Sequence, residues 1–494
     1  MKNFDTTIQN YWKMAIVSFC FFTLFFISCK ESEKTDIAQY NPSNPVTISS
    51  IEPDSLSVAT QMLITGTNFG GNKDNVAVEI NGKKAAVINV SSDGTVIYCI
   101  VPSLVDANTE HQDGDTTAVS VKVIVGGTAQ SNVSSQQLVY TFTQSVSTFL
   151  GSTDQDGNSA ITDGTFDQAQ FLTPFWLSFD TDINGPRDSN GNLKKNIYLI
   201  EEGNGVRFID MYNKTVSTIF RTNSDLQRPR TIAYTLDGDT MIIANDAGDW
   251  TLNGTVIIPR DPITRIFSDG TPTPWRVVMH HKQCNGGAIH PITGDYWFNS
   301  YEKSQVFKVF QRPSDGSMWR YGGPTASDLN VDGQTATHWF FLVQDVNWEF
   351  QIYIAPSGSF AYLVARNQHY IAKMTYDFAT NAFVNPEPFV GTKQQAGFLD
   401  GVGTNTLFNT PQQGTFDKDD NFYVCDGSNH CIRKVTPQGQ VSTFAGRPGN
   451  AGYSDGALRD AQFSSPFGII YDDDLQTFYI ADENNHRLRM ITLQ

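Results

Sequence analysis

From Thr47 onward the chain is filled with short runs in which apolar and polar residues alternate, broken by glycine and asparagine turns. Val76-Ala77-Val78-Glu79-Ile80 runs into Asn81-Gly82, and Val119 to Val125, Asn196 to Ile200, Val206 to Met211 and Tyr296 to Ser300 follow the same rhythm. A period of two places one face of a strand in a core and the other toward solvent. The pattern predicts an all-β protein.

The strands recur in units. Val441-Ser442-Thr443-Phe444-Ala445-Gly446 is followed by Asp455-Gly456, Ala461-Gln462-Phe463, Pro466-Phe467-Gly468, a strand, and Asp482-Glu483-Asn484-Asn485-His486-Arg487-Leu488-Arg489. One unit earlier the order is Phe389-Val390-Gly391, Asp400-Gly401, Leu407-Phe408, Pro411, a strand, and Asp426-Gly427-Ser428-Asn429-His430-Cys431-Ile432-Arg433. A repeat of about fifty residues built of short strands signals a β-propeller blade. Strand pairs in 175–220, 230–280, 286–322 and 350–391 add four blades, so six are expected. Val146-Ser147-Thr148-Phe149-Leu150 copies the outer strand that the last unit lacks. Residues 146–150 are therefore expected to close the ring against the C-terminal blade, which leaves only short edges exposed.

Residues 145–494 resemble the NHL-repeat family, most closely at Asp426, Asn429, His430 and Arg433 and at Asp482, Asn485, His486 and Arg489. Blade one departs from it, because Glu202-Gly203-Asn204-Gly205-Val206-Arg207 lacks the histidine, and blade four keeps only Asn367-Gln368-His369. The eight motif residues read as structural: the Asp accepts turn amides, the Asn tolerates a left-handed backbone, and the Arg lies across a neighbouring strand. A metal ring is the competing reading, and it lacks ligands in three blades.

Residues 47–144 hold about seven alternating strands and predict an immunoglobulin-like sandwich. Ile51-Glu52-Pro53, Ile64-Thr65-Gly66-Thr67-Asn68-Phe69-Gly70 and Val101-Pro102 resemble the IPT/TIG family. Upstream, Met14 to Ile27 is an apolar run too short for a comfortable span of ~20 residues. It ends in Phe26-Ile27-Ser28-Cys29, which resembles a bacterial lipoprotein box. The resemblance implies a signal peptide at 1–28, lipidation of Cys29, a tether over 29–46 and an outer-membrane anchor. Lys30-Glu31-Ser32-Glu33-Lys34 resembles a surface-export stretch of glycan-degrading bacteria, and a solvated linker fits it equally. The periplasmic face stays open.

A net charge of −17 with no basic patch excludes a nucleic-acid partner. Cys99 and Cys284 read as buried core thiols, and Cys425 and Cys431 as free thiols rather than a disulfide. No nucleophile elbow, phosphate loop or His-Glu-x-x-His motif is present. His280 and His281 are adjacent on a strand, so only one can face a pocket. No cofactor is predicted. Calcium or another divalent ion is left open at Asp328, Asn330 and Asp332, although the twelfth position of that loop is Trp339 rather than Glu. Asp154 to Asn158 is a shorter echo of the same kind.

Aromatic residues make up 12% of the chain, and Trp250, Trp275, Trp297, Trp319, Trp339 and Trp348 crowd one region of it. Four of these six are expected to wedge between blades. Trp319, Tyr321 and Trp339 lie in a long insertion and are the candidates for stacking on a sugar ring. The chain resembles lipoproteins with these two modules found in glycan-uptake loci, and the resemblance implies a surface lipoprotein that captures a glycan or oligosaccharide beside outer-membrane importer components, without catalysis. Two alternatives remain: a propeller hydrolase or lyase working at the central mouth, and a protein-interaction scaffold.

Overall fold

The computed structural model describes residues 37–493, except 59, 106–113, 128–129, 134–135, 183, 186, 188–194, 224–225, 247–252, 268–275, 281–283, 301–304, 310–339 and 342–349. Its contacts form two units, one ending at Phe142 and one resuming at Thr143.

The first unit is a sandwich of a seven-stranded and a three-stranded sheet. Gln61–Thr67 alternates strictly between exposed and buried positions. Met62 and Ile64 are buried, with Cys99 and Ile97 opposite them in register, and Val78, Ile80, Val121 and Val123 are buried too. Asn81 and Gly82 both take positive φ, 47° and 81°, in the turn after Val76–Ile80. Asn81 Oδ1 accepts the Ser120 amide at 2.9 Å and ties that turn to the next sheet edge. This is why an Asn-Gly pair sits here.

The second unit is a ring of six sheets. The inner strands are Pro174–Phe179, Pro229–Tyr234, Gly287–Ile289, Phe350–Ile354, Pro411–Phe416 and Pro466–Asp472. The expected closure is present. Gln144–Leu150 is the outer strand of blade six and pairs antiparallel with Arg487–Leu493, with Val146 opposite Ile491 and Thr148 opposite Arg489. Val146 and Leu150 are buried there. The Asp455 carboxylate clamps the joint, accepting the Thr148 amide at 3.1 Å and Arg489 at 2.6 Å.

Blade three differs from its sequence reading. It does not end near residue 322. Its outer strand is Phe340–Phe341, paired with Gln305–Val309, so 310–339 is an insertion within the blade between its third and fourth strands. The insertion carries no strand repeat to announce where the blade resumes, and a two-residue strand is too short to show a period.

Side chains fill the axis. Trp176 of blade one stacks on Tyr353 of the opposite blade four, with ring centroids 5.9 Å apart and planes at 20°. Gln413 of blade five reaches past blade six. Its Nε2 donates to Leu177 O at 2.7 Å, and its Oε1 accepts the Leu177 and Ile469 amides at 3.0 and 3.3 Å. A Cβ at Gly468 would stand 2.5 Å from Phe175 O, so only glycine lets these inner strands approach.

Candidate functional site

The repeated Asp-x-x-Asn-His-x-x-Arg segment builds a buried hub at the hairpin between the second and third strands of a blade. In blade five, Asp426 accepts the Asn409 amide at 2.7 Å, Asn429 Nδ2 at 2.8 Å and Arg433 Nη1 at 2.8 Å. Arg433 also donates to Leu407 O, Leu399 O and Asp400. Blade six repeats this with Asp482 receiving the Ser464 amide, Asn485 and Arg489, each at 2.8 Å. Burial pushes the carboxyls of Asp426 and Asp482 up to about 6 against the pull of their arginines.

Blade one keeps the hub with a different acid: Glu201 accepts the Leu172 amide and Arg207, both at 2.6 Å. Blades two and three place Val256 and Lys308 where the arginine would stand, by strand register. There the acceptor is a neutral amide. Asn245 takes the Arg228 amide at 2.9 Å and Asn299 takes the Gly286 amide at 2.7 Å. Blade four has Ala365 at this point, opposite Tyr370. A buried carboxylate thus occurs where a buried guanidinium faces it, an amide stands in at blades two and three, and blade four has no polar acceptor there.

The histidines join blades. His369, His430 and His486 sit in the left-handed region at φ 60°, 56° and 55°. His369 Nδ1 accepts the Thr410 amide, and His430 Nδ1 accepts the Ser465 amide, both at 3.1 Å. His486 Nδ1 meets Leu172 O and links the last blade to the first. Burial holds the imidazoles of His369 and His430 below their ordinary value, hence neutral as acceptors.

Arg230 and Arg366, with Phe175 and Phe467 of the inner strands, line one opening of the axis. Arg230 donates to Glu202 at 2.7 Å and to Asp246 at 2.9 Å. Its guanidinium lies 5.5 Å from the Phe175 ring, while Arg366 lies 5.4 Å from Phe467. The two phenyl rings stack at 3.6 Å between centroids. Asn285 and Gln351 complete the lining of a shallow cavity of about 20 Å³. Burial, with Glu202 nearby, raises the Glu483 carboxyl above its usual range, and Arg366 opposes this. The mouth therefore sets an ion-paired arginine and a second guanidinium over an aromatic floor. Sequence reasoning missed it. The signal lay beside the motif, in the charged residues that follow the hub positions: Glu202, Asp246, Arg366 and Glu483.

Trp319, Tyr321 and Trp339, with Asp328, Asn330 and Asp332, lie in 310–339, outside the described residues, as do Cys29, His281, Trp250, Trp275 and Trp348. His280 ends the outer strand Arg276–His280 of blade two. Trp297 is fully buried, edge-on to Phe383 at 4.9 Å. Asp154 Oδ1 accepts the amides of Asp156 and Asn158, forming a closed turn. Cys425 pairs in register with Ile432 and Cys431 with Asp426, and both are free buried thiols. Among the described residues, no three of His, Cys, Asp and Glu are grouped to hold a metal ion. No helix among them is long and apolar enough to cross a membrane.

These features define the class: an immunoglobulin-like IPT/TIG module followed by an NHL-type six-bladed propeller. The IPT/TIG domain family matches residues 45–142. The cattle NHL repeat-containing protein 2 is 35% identical over 100 residues, 20% of this chain, and the match spans only 14% of that protein's length. An auxiliary nutrient binding protein of Bacteroides thetaiotaomicron is 32% identical, with 92% of this chain and 99% of that one aligned at a TM-score of 0.65. A protein of the same species described as a putative phosphatase is also 32% identical over the same shares, at 0.66. A nutrient binding protein of Bacteroides ovatus is 25% identical, at 0.66 over 92% and 100%. The chain belongs to the family of these two-domain Bacteroides proteins.

Proposed function

We propose that this protein captures a nutrient, a glycan or oligosaccharide, at the cell envelope and breaks no bond in it. The end-to-end likeness to a nutrient binding protein, 99% of whose length is aligned, carries the reading. The mouth supports it. Arg230, fixed by Glu202 and Asp246, and Arg366 bring donors to the cavity lining, a chemistry suited to hydroxyl groups. In this reading Cys29 carries the lipid and anchors the chain in the outer membrane facing the medium. Trp319, Tyr321 and Trp339 add stacking surface, and importer components receive the ligand. The test is retention of residues 30–494 in native gels containing single polysaccharides, with metal content measured on the same sample. Retention on one polysaccharide by a metal-free protein is expected. Migration unchanged on all of them would sink the reading.

The 32% identical relative described as a putative phosphatase favours a second reading, a hydrolase at the mouth. Turnover of a chromogenic phosphate ester, abolished by Arg230→Ala and Glu483→Gln, would establish it.

A further inference from the structure

At the opposite rim of the propeller, where first strands end and third strands turn into fourth, a second cavity opens between blades one and two. It has about 150 Å³ of room, against about 20 Å³ at the mouth. Asp182, Asn196, Asp210, Asn213 and Arg265 bring polar groups to its wall, and Phe208 and Ile266 give it an apolar side. Tyr212 lines it while remaining 53% exposed.

The polar wall is rigid. Arg260 is buried and forks onto Asp180 at 3.1 and 2.5 Å, and it donates to Gly238 O at 2.8 Å. Arg265 forks onto Asp182 at 3.1 and 2.6 Å and bonds Asp239 at 2.7 Å. Asp210 accepts the amides of Tyr212 and Asn213, which fixes the turn that carries the tyrosine. The cavity lining carries three carboxylates, Asp180, Asp182 and Asp210, and one guanidinium, Arg265, so the wall is net negative and repels an anion. With a half-exposed aromatic ring beside fixed carboxylates and amides, it suits a ring bearing several neutral hydroxyls.

We infer that this cavity is a binding site for one neutral pyranose residue, distinct from the axial mouth. The inference deepens the capture reading and rests on it for biological purpose, while the pocket's chemistry stands by itself. The experiment is saturation-transfer NMR of the full chain with millimolar methyl glycosides of neutral hexoses and pentoses, and with methyl glucuronide. Transfer to at least one neutral glycoside is expected. It should fall about tenfold in Tyr212→Ala and in Asn213→Ala, persist in the mouth variant Arg366→Ala, and be weakest for the uronide. Because Tyr212 is exposed, its truncation should leave the melting temperature unchanged, which separates lost binding from lost fold. No transfer to any neutral glycoside, transfer that survives Tyr212→Ala, or a uronide that outcompetes the neutral sugars would overturn the assignment. If polysaccharide retention fails while the Tyr212-dependent signal stands, the capture reading falls and the pocket remains.

Discussion

Replacing Arg489 by methionine tests how the ring is held together. Arg489 is fully buried, and its guanidinium donates to Asp482, Gln462 O, Ser454 O and Asp455 at 2.6–2.9 Å. Methionine fills much of the volume and removes all four bonds. Asp482 is left buried with only an amide and Asn485 as partners, and must either bear an uncompensated charge or take up a proton. Breaking a buried pair from one side costs about 3–5 kcal/mol, a fifth or more of the ~5–15 kcal/mol that a domain commonly has. The assay is equilibrium urea unfolding of the propeller, followed by far-UV circular dichroism. Adding Asp482→Asn should recover half or more of the loss, because Asn245 and Asn299 already serve as neutral acceptors in blades without the arginine. A single variant losing less than about 1 kcal/mol, or a double variant no better than the single, would refute the charge-matching argument.

Gln413→Ala strands the Leu177 amide and carbonyl at the axis, and should cost roughly 2–3 kcal/mol in the same unfolding assay. Val146→Asp puts an unpaired charge into the closing joint opposite Ile491; limited proteolysis should then cut first in blade six, and a wild-type digestion pattern would count against the closure's importance. The neutral imidazoles of His369 and His430 contribute stability above the ordinary histidine value near 6.5 and lose it as pH falls below. Asp426 and Asp482, raised to about 6, act in the other direction: their contribution is present below the ordinary carboxyl range and lost as pH rises through 6. A His369→Gln/His430→Gln variant should therefore lose less melting temperature than wild type between pH 7 and pH 5. An equal or steeper loss would contradict the interblade role of the rings.

The architecture was legible because a propeller repeats itself. Val146 to Leu150 copying Val441 to Ala445 disclosed the closure, and the turn Asn81-Gly82 disclosed a hairpin in the sandwich. The mouth was not legible, for a physical reason. Its residues follow the hub positions without a fixed identity: Glu202, Asp246 and Glu483 are acidic, Arg366 is basic, and Ser300 and Gly427 are uncharged, so no motif draws the eye. The 212-side cavity was hidden further, since Asp182, Tyr212 and Arg265 come from three separate connections that meet only when two blades pack. The motif that did stand out, with His430 and His486, fastens blade five to blade six and blade six to blade one.

The closing strand also sets a clock on folding. Val146 finds its partner Ile491 only across a separation of nearly the whole propeller. A chain made at about 5–20 residues per second leaves Gln144–Leu150 waiting tens of seconds for the strand it must pair with. Blades one to five can assemble from local hairpins as they emerge, but the ring stays open until residue 493 exists. During that interval Gln144–Leu150 has no partner strand and the edge of Thr477–Asp482 is bare, so the unfinished blade six depends on whatever shields those two edges.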